Sequence, residues 1–253
     1  MKVLVTLTFG LLLLASAAAQ AQGVVLPLPA EDQQRIAAQL GPGVVGHALP
    51  SMLIANVSTY FPLENRSLIY RIASGPRAGN SESSEIARAR RPGGKLAWRF
   101  TLSPSLTGFI AHTTDGDLVM PAVSDPGEGV VVITTPANPF LPKGMRPGET
   151  RSFSQQVSVN YLDNPTDQDY SGSLNGTYTY IGTYQVTVPA GTFAAILFRT
   201  RSEGKVGPAR TTDTAYSFFA PNVGLVAMIM QEDVTAFWLF HIDTTTGKVL
   251  TSK

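Results

Sequence analysis

The chain has 253 residues, a net charge of +1 at pH 7 and no cysteine. A charge so close to zero argues against a nucleic-acid-binding protein, which needs an excess of basic residues. Without cysteine the chain has no disulfide and no N-terminal cysteine for lipid attachment, so its fold depends on the burial of apolar side chains. The length fits one large β domain or two small ones.

The first 21 residues have the three parts of a secretory signal peptide. Lys2 supplies a positive charge, residues 3–14 are apolar, and Ala19-Gln20-Ala21 is a small-residue cleavage motif. We therefore predict export to the periplasm or the extracellular space, and a mature chain without a membrane-spanning segment. The alternative is an N-terminal membrane anchor, but the apolar stretch is shorter than the ~20 residues that a spanning helix needs.

Residues 22–50 contain the predicted helix. Glu31 and Asp32 suit the beginning of a helix, and Ile36 and Leu40 form an apolar stripe that ends at Gly41-Pro42. The pattern predicts a short helix over residues 30–40.

Residues 51–253 show the alternation that is typical of β-strands. Trp98 and Phe100 alternate with Arg99 and Thr101, and Asp115-Gly116 is typical of a hairpin turn. The predicted strands are 68–72, 95–102, 109–114, 118–123, 130–134, 153–161, 177–188, 192–201, 211–220, 225–231, 234–243 and 248–250, with a Pro-rich connection at 136–148 and a polar loop at 164–176. We predict an all-β fold: a curved antiparallel sheet, either a half-barrel or an open barrel, of about ten strands and one short N-terminal helix.

We expect residues 51–253 to form a single antiparallel β domain. The alternative is a subdivision near residue 142, because the aromatic and proline residues at 60–63 and 138–142 each precede a strand. A single pair of such segments is weak evidence for an internal duplication.

Two turn motifs stand out between residues 188 and 226. The first is Val-Pro-Ala-Gly-Thr-Phe at 188–193, and the second is Ala-Pro-Asn-Val-Gly-Leu-Val at 220–226. Pro189 and Gly191 suit a chain reversal, and Gly224 suits a second one. These residues predict turns between strands and offer no catalytic group.

The two motifs resemble those of a widespread group of bacterial secreted β-rich proteins of unknown function, which share VPAGTF, two strands and APxVGLV. Tyr60-Phe61-Pro62-Leu63 is similar to the segment that precedes the first long strand in that group. The chain departs from the pattern at residues 64–67, which replace a glycine-bearing turn, and at Leu68, where an aromatic residue is common. The resemblance implies an envelope location and a curved antiparallel sheet like that of periplasmic lipoprotein carriers, without implying a reaction.

The first function hypothesis is a non-enzymatic envelope protein that binds an apolar ligand, such as a lipid, on the concave face of the sheet. The candidate lining is aromatic: Trp98, Phe100, Phe109, Tyr180, Phe193, Phe198 and Trp238. The alternative interpretation of these residues is that they fill the core. A second hypothesis is a structural or protein-interaction module of the envelope that uses exposed edge strands, with another envelope protein as its partner.

A third hypothesis is a hydrolase in which His112 and Asp115 activate a serine such as Ser105. No nucleophile motif supports it, so we assign no catalytic residue and predict no cofactor. Asp163, Asp167 and Asp169 lie close together in sequence and are the candidates for a calcium site, because carboxylate oxygens are the ligands that calcium prefers. A solvated acidic loop is the ordinary interpretation of these three residues.

Overall fold

The protein is described by a computed structural model that covers residues 23–236 and 240–253. The predicted signal peptide at residues 1–21 lies outside the described residues. The described part of the chain forms two helices and fourteen antiparallel strands. In chain order these are β1 (Val24–Val25), α1 (Ala30–Leu40), β2 (Val45–Ser51), α2 (Val57–Tyr60), β3 (Arg66–Ser74), β4 (Ser81–Arg90), β5 (Leu96–Thr101), β6 (Thr107–His112), β7 (Leu118–Asp125), β8 (Val130–Leu141), β9 (Thr150–Tyr161), β10 (Gln168–Val188), β11 (Gly191–Val206), β12 (Ala209–Ala220), β13 (Gly224–Ala236) and β14 (Phe240–Ser252).

Twelve of these strands close into a barrel. From β3 to β14, each strand pairs with the next strand in the chain, and β14 then pairs with β3, for example Leu250 with Tyr70. The prediction of a half-barrel or open barrel of about ten strands is therefore wrong. The closing pair joins strands from opposite ends of the chain, and no local sequence pattern indicates such a pairing.

The two remaining strands extend the sheet outside the ring of twelve. β10 is 21 residues long, and its first half pairs with β9. Its second half pairs with β2, for example Tyr184 with Ala48, and β1 continues the sheet from β2. The strands β1 and β2 therefore form a short extension of the sheet on this side of the barrel, next to helix α1.

One end of the barrel interior is filled with aromatic rings. Phe61 follows α2, and its ring lies 5.3 Å from Phe100 on β5, 4.8 Å from Phe140 on β8 and 6.1 Å from Phe219 on β12. Those strands lie far apart around the barrel, so Phe61 is inside it and the three rings face inward. We call the set Phe61, Phe100, Phe140, Tyr178, Tyr180, Phe198 and Phe219 the aromatic plug. Edge-to-face pairs of this kind contribute about 0.5–1.5 kcal/mol each beyond the burial of their area.

Helix α1 packs on the outer face of the barrel, at the position that the sequence predicts. Ile36 and Leu40 are buried, and Asp32 accepts hydrogen bonds from Arg199 on β11 and Tyr216 on β12. Side chains alternate between the two faces of a strand. Phe198 of the plug faces inward, so the next residue, Arg199, faces outward. Within the described ranges, no helix is long and apolar enough to cross a membrane.

Candidate functional site at the unplugged end of the barrel

The strands β9 to β12 continue past the aromatic plug, and their inward-facing side chains there form a cross-strand row. Phe153, Gly176, Ser202 and Asp213 are direct partners on β9, β10, β11 and β12. Ser202 lies an even number of positions beyond Phe198 on the same strand, so it also faces the interior. We call this part of the interior the unplugged end.

A cavity of about 740 Å³ lies at this row. Three consecutive residues from each of the four strands line it: residues 152–154, 175–177, 201–203 and 212–214. The ring of Phe153 lies over Gly176, because a Cβ at this position would approach within 2.4 Å of the ring carbon Cζ and of the Arg201 carbonyl oxygen. Glycine at 176 therefore makes room for the largest apolar side chain in the lining.

Two carboxylates stand side by side at the same level. Asp213 and Glu232 are direct cross-strand partners, and Thr211 donates a hydrogen bond of 2.9 Å to Asp213. Desolvation by burial raises the pKa of Asp213, and the nearby charge of Asp233 raises it further. The pKa of Glu232 is raised by desolvation and then by the charge of Asp213. This pair can hold a proton or accept hydrogen bonds from a polar group of a ligand.

Apolar side chains continue beyond the carboxylates. Val159, Val206 and Val234 share the inward face with the row and are only partly buried, and Ile242, the partner of Val234, is 56% exposed. Solvent therefore reaches inward-facing apolar side chains at this end. An apolar rim above a polar row suits a ligand with an apolar body.

A buried ion pair crosses the interior between β14 and the end of β5. Lys248, 2% exposed, donates to Glu82 at 2.9 Å and to the carbonyl oxygen of Leu102 at 2.6 Å. Arg77 donates to the second carboxylate oxygen of Glu82 at 3.1 Å. Desolvation lowers the pKa of Lys248, and the adjacent Glu82 opposes this effect. Each of the two charged groups has an oppositely charged partner, as expected of an ion pair that stabilises the fold.

The structure brings together three of the seven aromatic residues that were predicted to line a ligand site. Phe100, Tyr180 and Phe198 are fully buried in the aromatic plug, with 5.1 Å between the ring centroids of the last two. Trp238 lies outside the described residues.

The other three predicted lining residues lie elsewhere. Phe109 is buried in a separate small cluster with Ala97, Ala122 and Val131. Trp98 is half-buried, with the guanidinium carbon of Arg88 at 4.7 Å from its ring centroid. Phe193 has the ammonium group of Lys253 at 5.0 Å.

The sequence interpretation missed the residues that line the cavity. Its polar loop at 164–176 contains the first half of β10, with Gly176, and its strand 192–201 ends one residue before Ser202. Phe153 lies on the predicted dry face of its strand, which was the available signal. The missed positions are small or polar, so they weaken the apolar alternation that indicates a strand.

The structure separates the proposed catalytic residues. His112 ends β6 and Asp115 lies in the following turn, and in the described part of the chain they form no ion pair within 4.0 Å. Ser105 precedes β6, at the opposite end of that strand from His112. Among the described residues, no group of three or more histidine or acidic side chains could hold a metal ion, so Asp163, Asp167 and Asp169 do not form one.

No protein-family model matches the chain. No curated protein matches it either. Two crystal structures are similar to it. One is a protein from Bacteroides fragilis that is described as exported and as having a YmcC-like fold. The two sequences are 11% identical, the match covers 80% of this chain and 98% of the other, and the TM-score is 0.38. The second is a protein from Parabacteroides distasonis, described as a lipoprotein, with 13% identity, coverage of 77% and 97%, and a TM-score of 0.34. Likeness at this level carries no argument about function.

Proposed function

We propose that the chain is an exported, non-enzymatic protein of the cell envelope that binds an apolar ligand, such as a lipid, in the unplugged end of its barrel. Export is supported by the positive, apolar and small-residue segments at residues 1–21.

The observation that carries the ligand proposal is the contrast between the two ends of the barrel interior. At one end the inward-facing aromatic rings pack against one another, and all of them except the partly buried Phe140 are buried. At the other end inward-facing valines are partly exposed beside a cavity of about 740 Å³. Ligand pockets typically measure about 300–1,000 Å³, so this cavity has the size of one. A ligand with an apolar body would cover these side chains.

The polar row gives such a ligand an orientation. Asp213 and Ser202 lie at the inner level of the cavity, and Val206 and Val234 lie nearer the hairpin turns. A hydroxyl or other hydrogen-bond donor on the ligand would pair with the carboxylates, while its apolar part would lie against the valines. We therefore expect an amphipathic ligand with a neutral or positively charged polar end, because a negative headgroup would face Asp213 and Glu232.

The test is a pair of substitutions on β9. Phe153→Ala removes the largest apolar side chain from the inward face, whereas Gln156→Ala changes an exposed side chain that points outward and lies outside the cavity lining. We expect Phe153→Ala to weaken the binding of a fluorescent acyl-chain probe by about tenfold or more, since a buried phenylalanine contributes about 1.5–3 kcal/mol. Gln156→Ala should leave the affinity unchanged.

The measurement is a fluorescence titration of the purified mature protein, together with mass spectrometry of its organic extract. Absence of any co-purifying lipid, combined with no probe binding by the unsubstituted protein, would reject the proposal. A loss of affinity in Gln156→Ala but not in Phe153→Ala would place binding on the outer surface instead.

A further inference from the structure

The hairpin of β4 and β5 carries a basic surface that has no role in the barrel. Arg88, Arg90, Arg91 and Lys95 lie within eight consecutive positions. Glu82 and Glu85 precede them in the sequence, but neither carboxylate pairs with any of these four cations. Glu82 pairs with Lys248 and Arg77, and Glu85 pairs with Arg99. In the described ranges, none of the four cations lies within 4.0 Å of a carboxylate oxygen.

Two apolar side chains share one face of the hairpin with two of these cations. Arg88 is the cross-strand partner of Trp98, and Arg90 is the partner of Leu96. The guanidinium group of Arg88 lies over the indole ring, and Leu96 is 63% exposed. A leucine this exposed between arginines is costly to hydrate unless another surface covers it.

The tip of the hairpin lies outside the ladder that joins it to β6. The pairing of β5 with β6 begins at Trp98, the partner of Ile110, so Leu96 and the turn are not paired with β6. Gly93 and Gly94 both have positive φ and form a tight, convex turn next to Lys95. A convex tip offers no groove for a peptide, whereas it can enter a soft surface.

We propose that this hairpin tip docks the protein on an anionic phospholipid membrane. Four unpaired cations complement a negatively charged headgroup layer, where each basic residue contributes separately to the attraction. Tryptophan and leucine side chains favour the boundary between headgroups and acyl chains. The tip lies at the plugged end of the barrel, because β5 runs from the tip to Phe100, which contacts Phe61 in the plug, so docking leaves the unplugged end facing away from the bilayer.

The experiment measures partition of the purified mature protein onto large unilamellar vesicles by co-sedimentation. Vesicles of phosphatidylglycerol mixed with phosphatidylcholine are compared with vesicles of phosphatidylcholine alone. We expect binding to the anionic vesicles only, decreasing as NaCl is added. The double variant Arg90→Gln/Lys95→Gln should lower the partition coefficient by about 30-fold.

The matched control is Lys205→Gln/Arg210→Gln. These two exposed cations are cross-strand partners at the opposite end of the barrel, and their removal changes the net charge by the same amount. Leu96→Ser, which leaves all charges in place, should weaken binding that persists at high salt. Circular dichroism and thermal melting of each variant check that the fold is retained.

Three results would overturn the proposal. The first is equal partition of the unsubstituted protein onto neutral and anionic vesicles. The second is an equal loss in the two double variants, which would indicate a non-local effect of net charge. The third is binding to soluble heparin that matches vesicle binding in strength and is unaffected by Leu96→Ser, which would assign the surface to a soluble polyanion. The acyl-chain titration at the unplugged end is independent of all three results.

Discussion

At the scale of single residues, the buried pair of Lys248 and Glu82 is the most demanding feature of the barrel. Both side chains are almost fully buried, and Lys248 also binds the carbonyl oxygen of Leu102. Removal of one charge leaves the other buried without a partner, which costs about 3–5 kcal/mol. We expect Glu82→Gln to lower the free energy of unfolding by about this amount in urea denaturation.

Two comparisons isolate the cause of that loss. Glu85→Gln breaks an ion pair with Arg99 in which the carboxylate side chain is 53% exposed, so the expected loss is at most about 1 kcal/mol. The double variant Glu82→Leu/Lys248→Met removes both buried charges and should lose less stability than Glu82→Gln alone. A Glu82→Gln variant as stable as Glu85→Gln would contradict the assignment of a buried, coupled pair.

At the scale of secondary-structure elements, α1 is held on the barrel by one buried carboxylate. Asp32 is fully buried and accepts hydrogen bonds from Arg199 at 2.8 Å and from Tyr216 at 2.7 Å. Its neighbour Glu31 also pairs with Arg199, but its side chain is 65% exposed. We expect Asp32→Asn to lower the free energy of unfolding by about 1–3 kcal/mol and to increase amide hydrogen exchange within α1.

Glu31→Gln is the matched control, because it removes an adjacent carboxylate that binds the same guanidinium group. Solvent screens this exposed pair, so the loss should stay below about 1 kcal/mol and exchange in α1 should not change. Equal effects of the two substitutions would show that the ion pairs around Arg199 act by charge alone and that the burial of Asp32 is unimportant.

Some secondary-structure elements could be predicted from the sequence and others could not. Helix α1 was predicted correctly, because its acidic first turn, its apolar stripe and Gly41 are all local signals. Strand β4 was missed, since its inward-facing positions include Glu82 and Ser84 and therefore interrupt the apolar alternation. The predicted break between strands 225–231 and 234–243 was misplaced, because β13 continues to Ala236. Polar inward-facing residues are thus the common source of error.

At the scale of the whole molecule, neither closure nor the candidate cavity could be predicted from local pattern. Closure depends on a pairing between β14 and β3, which are far apart in sequence. The aromatic residues Phe100, Tyr180 and Phe198 were recognised as inward-facing, yet the sequence does not show that Phe61 fills the space between them. The cavity lies where small and polar residues meet across four strands, so only the register of the barrel reveals it.

The division of the interior predicts a gradient of stability along single strands. Residues 195–198 of β11 are buried beside the aromatic plug, whereas residues 202–206 of the same strand are only partly buried or exposed. Both segments are paired with β10, and residues 196–198 and 202–206 are also paired with β12, so backbone hydrogen bonding alone predicts equal protection of these residues. Local opening of a strand costs more free energy where it exposes more packed apolar side chains. In native-state hydrogen exchange, amides of residues 195–198 should therefore exchange more slowly than those of residues 202–206, by about tenfold or more. Uniform protection along β11 would show that both ends are equally well packed, and it would remove the observation on which the ligand proposal rests. An acyl-chain ligand bound at the unplugged end should slow exchange in the second segment and leave the first unchanged.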